Sequence, residues 1–123
     1  MVTPRDAAKT IRAKNERERR ALAKRKEEAR AEGIRLARNI LREYPEAIRV
    51  WGFGSTYEDW RRYRLDSDID LAVERGCAYK LLKCVEGSAF KVDVVSFEEI
   101  PKSLATFIRE HGILLAEAEL SYG

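Results

Sequence analysis

A small α/β (α+β) domain, built on a mixed β-sheet packed by helices and preceded by a long N-terminal helix, is what the sequence predicts. Three patterns point there. No proline interrupts residues 5 to 44, three short apolar segments of strand character fall at 48–53, 68–74 and 90–97, and helical spacing governs the segments between and after them. With 123 residues the chain is long enough for one modest core and too short for two.

The elements follow in order. "TPRD" at residues 3 to 6 is a helix start: Thr3 caps, Pro4 suits the first helical position and Asp6 puts a negative charge in the first turn. Residues 5 to 32 are mainly Ala, Arg, Lys and Glu, with pairs such as Glu16 and Arg20 supporting an exposed helix. Beyond Gly33 the pattern changes, because Ile34, Ala37, Leu41 and Tyr44 recur at helical spacing and define a face for packing on a sheet. A charged helical arm, 1–32, and a domain, 33–123, are the resulting division.

"YPEA" closes the helix at Pro45, and "IRVWGF" reads as a strand in which Trp51 and Phe53 are expected in the core. In "SDIDLAVE" the apolar Ile69, Leu71 and Val73 alternate with Asp68, Asp70 and Ala72. A period of two sends the apolar set to one face and both carboxylates to the other. "CAYKLLKCVE" is a short helix, and "FKVDVVSF" is a third strand with Phe90, Val92 and Val94 on one face and Asp93 on the other. "SFEEIPKSLATFIREHG" reads as a helix whose apolar face is Leu104, Phe107 and Ile108, closed by Gly112, and "ILLAE" is a final strand.

Composition narrows the chemistry. Apolar residues make up 45% and charged residues 37%, which is globular. Residues 1 to 32 hold 11 Lys/Arg against 6 Asp/Glu, while the rest holds 13 against 15, so positive charge gathers in the arm. No apolar run of membrane-spanning length occurs and the basic N-terminus lacks an apolar h-region, so a cytoplasmic protein with no membrane partner is expected. Cys77 and Cys84 form no CxxC and read as reduced apolar fillers. His111, the sole histidine, sits at a helix end. Ser-His-Asp, Cys-His and zinc chemistry are thereby disfavoured, since each needs a histidine or thiolate cluster.

Acids are depleted in strands and costly to bury unpaired, so Asp68, Asp70 and Asp93 on otherwise apolar strands call for a compensating charge. Two carboxylates at i and i+2 with a third from a neighbouring strand make a hard-oxygen cluster suited to Mg²⁺ or Mn²⁺. The competing reading is a solvated sheet face paired with Lys/Arg. Gly54-Ser55, at the end of the preceding strand, weighs against it: a glycine lets backbone N–H groups approach a phosphate and a serine adds a hydroxyl donor.

Taken together, Gly54-Ser55, a twelve-residue spacer, Asp68-x-Asp70 opening an apolar strand and a lone Asp93 in "KVDVV" resemble the minimal nucleotidyltransferase family of the DNA polymerase β-like superfamily. The resemblance runs from about Ile34 to Ala118. It implies transfer of a nucleoside monophosphate, AMP from ATP first among them, from an NTP to an acceptor hydroxyl. By that resemblance Asp68, Asp70 and Asp93 would hold two Mg²⁺ (or Mn²⁺), Asp93 would also act as base toward, or orient, the acceptor, and Gly54 and Ser55 would hold the triphosphate. Many members follow Gly-Ser with a short Arg-Gly segment, whereas here "TYEDWRRYRL" is longer, aromatic and free of glycine. Within it Arg61, Arg62 and Arg64 either approach phosphates or face solvent, and Trp60 and Tyr63 either stack on a base, form a partner surface or pack the loop on the sheet.

Members of this size are often paired with a helical HEPN-type toxin, whose tyrosine is the acceptor modified with AMP; an antitoxin role is what the resemblance implies here. A partner-binding module of the same fold is the alternative. The basic arm offers a third reading as a nucleic-acid contact, which its six interspersed acids weaken in favour of docking on a partner or a second subunit.

Overall fold

The computed structural model describes residues 3–119. Helix α1 (Pro4–Glu43) is a single run of 40 residues, about 60 Å at 1.5 Å per residue. Its start is a capping box: Thr3 Oγ1 accepts the Asp6 N–H at 3.2 Å, and Asp6 reaches back to the Thr3 backbone. The Glu16–Arg20 pair forms, at 3.3 Å. No break occurs at Gly33. Residues 9 to 21 are exposed on every side, and contact with the rest of the molecule begins near Arg25, whose guanidinium lies 3.8 Å over the Phe90 ring.

Strands β1 (Arg49–Phe53), β2 (Ile69–Val73), β3 (Val92–Ser96) and β4 (Ile113–Glu117) form one sheet in the order β3-β2-β1-β4. β1 pairs antiparallel with both β2 and β4, and β2 pairs parallel with β3. The parallel pair requires a crossover, which helix α2 (Ala78–Leu81) and a 3-10 turn (Leu82–Cys84) provide. Helix α3 (Lys102–His111) joins β3 to β4. The element order is the expected one, and the molecule is a small α+β fold around a four-stranded mixed sheet.

The core lies between α1 and one face of the sheet. Leu36, Ala37, Ile40 and Leu41 meet Val50, Ile69, Leu71, Val73 and Val94, with Leu81 and Val85 closing one edge. At about 25 cal/mol per Å² of apolar surface, each large side chain among these contributes about 1.5–3 kcal/mol. The packed stripe of α1 is thus shifted from the one expected: Leu36 and Ile40 are its centre, while Ile34 and Tyr44 are only half-buried.

Three further expectations are corrected. Trp51 and Phe53 do not enter this core; alternation along β1 sends Val50 and Gly52 to α1 and turns the two aromatics to the opposite face, where the Trp51 indole donates to Glu74 at 3.3 Å. The last helix starts at Lys102 and not near Ser96, because the Pro101 ring bars helix before it and residues 96–100 form a turn. With that start Ala105 and Ile108 are buried, Phe107 is half-buried and Leu104 is 40% exposed. Cys84 packs at the edge of the core as expected, and burial, helped by Glu43, pushes its thiol up to about 11.

Candidate functional site

The carboxylates stand on the sheet face away from α1. β2 buries Ile69, Leu71 and Val73, so Asp70 faces the other way, and Asp68, just before the strand, follows the same alternation. Asp70 and Asp93 are direct partners in the parallel β2–β3 register, which places the two acids side by side on neighbouring strands. Asp93 is exposed. Among the described residues Asp68 makes one ion pair, with the exposed Lys91 at 3.9 Å.

Gly54 meets this cluster directly. It follows β1 with φ of 73°, a conformation that favours glycine. Its α-carbon is pressed against Asp70 so closely that an added Cβ would lie 2.2 Å from Asp70 Oδ2. Phe53, the residue before it, is the register partner of Asp70. Ser55 comes next in the turn and is half-buried. The turn and the acids, thirteen or more residues apart in sequence, therefore form one locality.

Electrostatics follow from this crowding. Burial, followed by the charges of Asp93, Asp68 and Glu58, pushes the Asp70 carboxyl up to about 6, with Arg61 opposing the rise. A cation placed among these acids would relieve that repulsion. Among the described residues, however, no three His, Cys, Asp or Glu side chains are gathered at metal-ligand spacing. A donor set of one or two carboxylates still fits Mg²⁺, which is commonly held that way with phosphate oxygens and water supplying the remainder.

Sequence reasoning missed Glu58. This side chain is 2% exposed, and its Oε2 accepts the Gly54 N–H and the Arg61 Nε–H, the latter at 3.1 Å. The amide expected to face a phosphate is thus bonded to a carboxylate of the same turn. The available signal was an acid four residues after the glycine and three before an arginine, in a loop whose high charge otherwise reads as solvated.

The rest of that loop is strapped to α1. Thr56 is buried and its hydroxyl donates to the Asp68 carbonyl at 2.8 Å, tying the turn to the start of β2. Arg30 donates to the Thr56 carbonyl at 2.7 Å and to Asp59 Oδ1 at 2.8 Å, and Lys26 adds a 3.3 Å pair to Asp59. Tyr57 fills a slot bounded by Gly33 and Gly52, and burial raises its phenol well above the usual range. Arg61, Arg62 and Arg64 are exposed. Trp60 is 65% exposed and meets Phe107 edge-on at 6.4 Å, with Phe107 in turn 4.5 Å from the His111 ring.

Three clefts elsewhere do not involve the acids; one of about 160 Å³, between Tyr44, Arg75, Cys77 and Lys80, lies beyond the other end of β1 and β2. No helix among the described residues is long and apolar enough to cross a membrane. No model of a known protein family matches the chain, and no curated protein matches it.

Proposed function

We propose that the protein is a metal-dependent nucleotidyltransferase that moves a nucleoside monophosphate, AMP from ATP in the first instance, onto an acceptor hydroxyl. The observation that carries this reading is the contact of Gly54 with Asp70, itself paired in register with Asp93. A tight turn and two neighbouring carboxylates in one locality suit a triphosphate and its counter-ion. Of Asp68, Asp70 and Asp93, one or two at a time would hold Mg²⁺ or Mn²⁺, with phosphate oxygens and water completing the donor set; when bound, the ion would neutralise the triphosphate and stabilise the leaving oxygen.

The protein's own residues then have distinct tasks. The Gly54-Ser55 turn would bind and orient the phosphates through Ser55, by its backbone N–H and hydroxyl, because the Gly54 N–H is already held by Glu58. Asp93, being exposed, is accessible to an acceptor hydroxyl and takes its proton as the oxygen attacks the α-phosphorus. The bond to the bridging oxygen of the β-phosphate breaks and pyrophosphate leaves, so atoms and charge balance without any further reactant.

A tyrosine of a HEPN-type helical protein is the acceptor class we favour, which makes the protein an antitoxin acting by AMP transfer. Incubation with labelled ATP, Mg²⁺ and the product of any neighbouring helical-protein gene, followed by intact mass, tests this. One added AMP on the partner, lost with Asp68→Asn, supports the reading; no transfer with any NTP or partner overturns it. A second reading, a partner-binding module without catalysis, is favoured by the bare helix at residues 9–21. Full neutralisation of the partner by Asp68→Asn, without transfer, would select it.

A further inference from the structure

Glu58 holds an ionisable oxygen that the fold leaves unused. Its Oε2 has two donors, the Gly54 N–H and Arg61, but Oε1 is buried with no hydrogen-bond partner among the described residues. A carboxylate oxygen kept bare in the interior is a costly arrangement. The turn itself does not require it. A glutamine would accept the same Gly54 N–H and need no counter-charge.

The position of Glu58 supplies the reason. Its carboxylate bonds the amide of Gly54, and Asp70 Oδ2 is pressed against the α-carbon of that residue. Two acids therefore flank one glycine, Glu58 at its amide and Asp70 at its α-carbon. Arg61 reaches Glu58 from a side chain that is 43% exposed, so it can leave for solvent at small cost. What remains is a pair of hard oxygen donors, one with a free lone-pair edge, beside a turn suited to phosphate.

We propose that Glu58 is a further cation ligand of this site, holding a divalent metal ion together with Asp70 on the Gly54 side of the acids, and that Arg61 competes with the ion for it. The inference deepens the nucleotidyltransferase reading and rests on its assignment of Asp68 and Asp70 to metal. It assigns to the loop a part in binding that neither its length nor its charge would suggest.

Titration of the full chain with Mn²⁺ in the absence of nucleotide, read from the free Mn²⁺ paramagnetic resonance signal, tests it. Glu58→Gln is expected to weaken Mn²⁺ binding tenfold or more, and Arg61→Ala to tighten it severalfold because a competitor is gone. Arg61→Ala retains Glu58, so it carries the test if Glu58→Gln fails to fold. Unchanged Mn²⁺ affinity in Arg61→Ala, or in a folded Glu58→Gln, overturns the inference. If Asp68→Asn alone loses Mn²⁺, the nucleotidyltransferase reading stands while the Glu58 assignment falls. No Mn²⁺ binding by the wild-type chain overturns the assignment as well, and the AMP-transfer measurement then judges the broader reading separately.

Discussion

The Tyr57 hydroxyl donates to the Arg30 carbonyl at 3.0 Å, through a slot that exists because residues 33 and 52 are glycines. A Cβ on Gly33 would lie 1.7 Å from that hydroxyl, and one on Gly52 would lie 2.5 Å from the Tyr57 ring. The ring is wedged between helix and sheet, so the loop that carries Glu58 is held from the α1 side. A buried ring has little room to retreat.

Gly33→Ala is accordingly expected to destabilise by about 2–3 kcal/mol, as overpacking at a closed site does. The clash is mainly with the hydroxyl, so Tyr57→Phe should relieve most of it, at the expense of about 1 kcal/mol for the lost hydrogen bond. A double-mutant cycle in urea measures this. Simple additivity of the two substitutions would show that the slot is not what requires glycine.

Asp70 makes stability depend on pH in a definite direction. Its carboxyl is raised from 3.8 in the free state to about 6 in the fold, so the folded protein binds the proton more readily than the unfolded one. The associated stability is fully present below 3.8 and is lost as pH climbs through about 6. Asp70→Asn removes the burden of the charge. At pH 7.5 it should therefore be more stable than wild type by up to about 3 kcal/mol, two pKa units at 1.36 kcal/mol each, and near pH 4 the advantage should vanish. Thermal unfolding across that range checks it, and an advantage independent of pH would contradict it.

The same proton governs the proposed transfer. Holding a cation and stabilising phosphate charge needs Asp70 ionised, so the single-turnover rate of AMP transfer should fall about tenfold per pH unit below 6. Saturating Mg²⁺ should move the midpoint downward, since the ion competes with the proton. A rate flat from pH 7 to pH 5 would exclude Asp70 from a role that depends on its charge.

How far the sequence foretold this depends on the range over which each signal acts. β2 was legible because alternation of Ile69, Leu71 and Val73 with Asp68 and Asp70 is a local pattern with a forced consequence for facing. Gly54-Ser55 was legible as a turn because glycine after an apolar strand is a local signal too. Leu104 was misplaced because it stands in the first turn of α3, where the buried position is the small Ala105 beside it, a choice set by what the helix packs against and not by its apolar spacing. The loop from Thr56 to Leu65 was unreadable because its conformation is set by partners far along the chain: Arg30 on the Thr56 carbonyl, Gly33 and Gly52 around Tyr57. Glu58 belongs to that class, since only the folded turn brings it to Gly54.

Helix α1 offers the last expectation, which separates its two halves by function. Residues 9 to 21 are exposed throughout, whereas Lys26, Ala29 and Arg30 hold the loop: Ala29 is fully buried, Arg30 bonds the Thr56 carbonyl and Asp59, and Lys26 adds a second bond to Asp59. Deleting residues 1–21 should change stability by less than about 1 kcal/mol, because exposed helix ends contribute little beyond their caps. Deleting 1–32 removes the buried Ala29 and strips the Arg30 contacts from the loop, and should cost about 3 kcal/mol or more, with new proteolytic cleavage between residues 56 and 65. If the shorter deletion abolishes partner binding while AMP transfer to a peptide acceptor survives, the bare half is the docking helix and the bound half is part of the site. Equal loss of stability in both deletions would mean that α1 acts as one indivisible element.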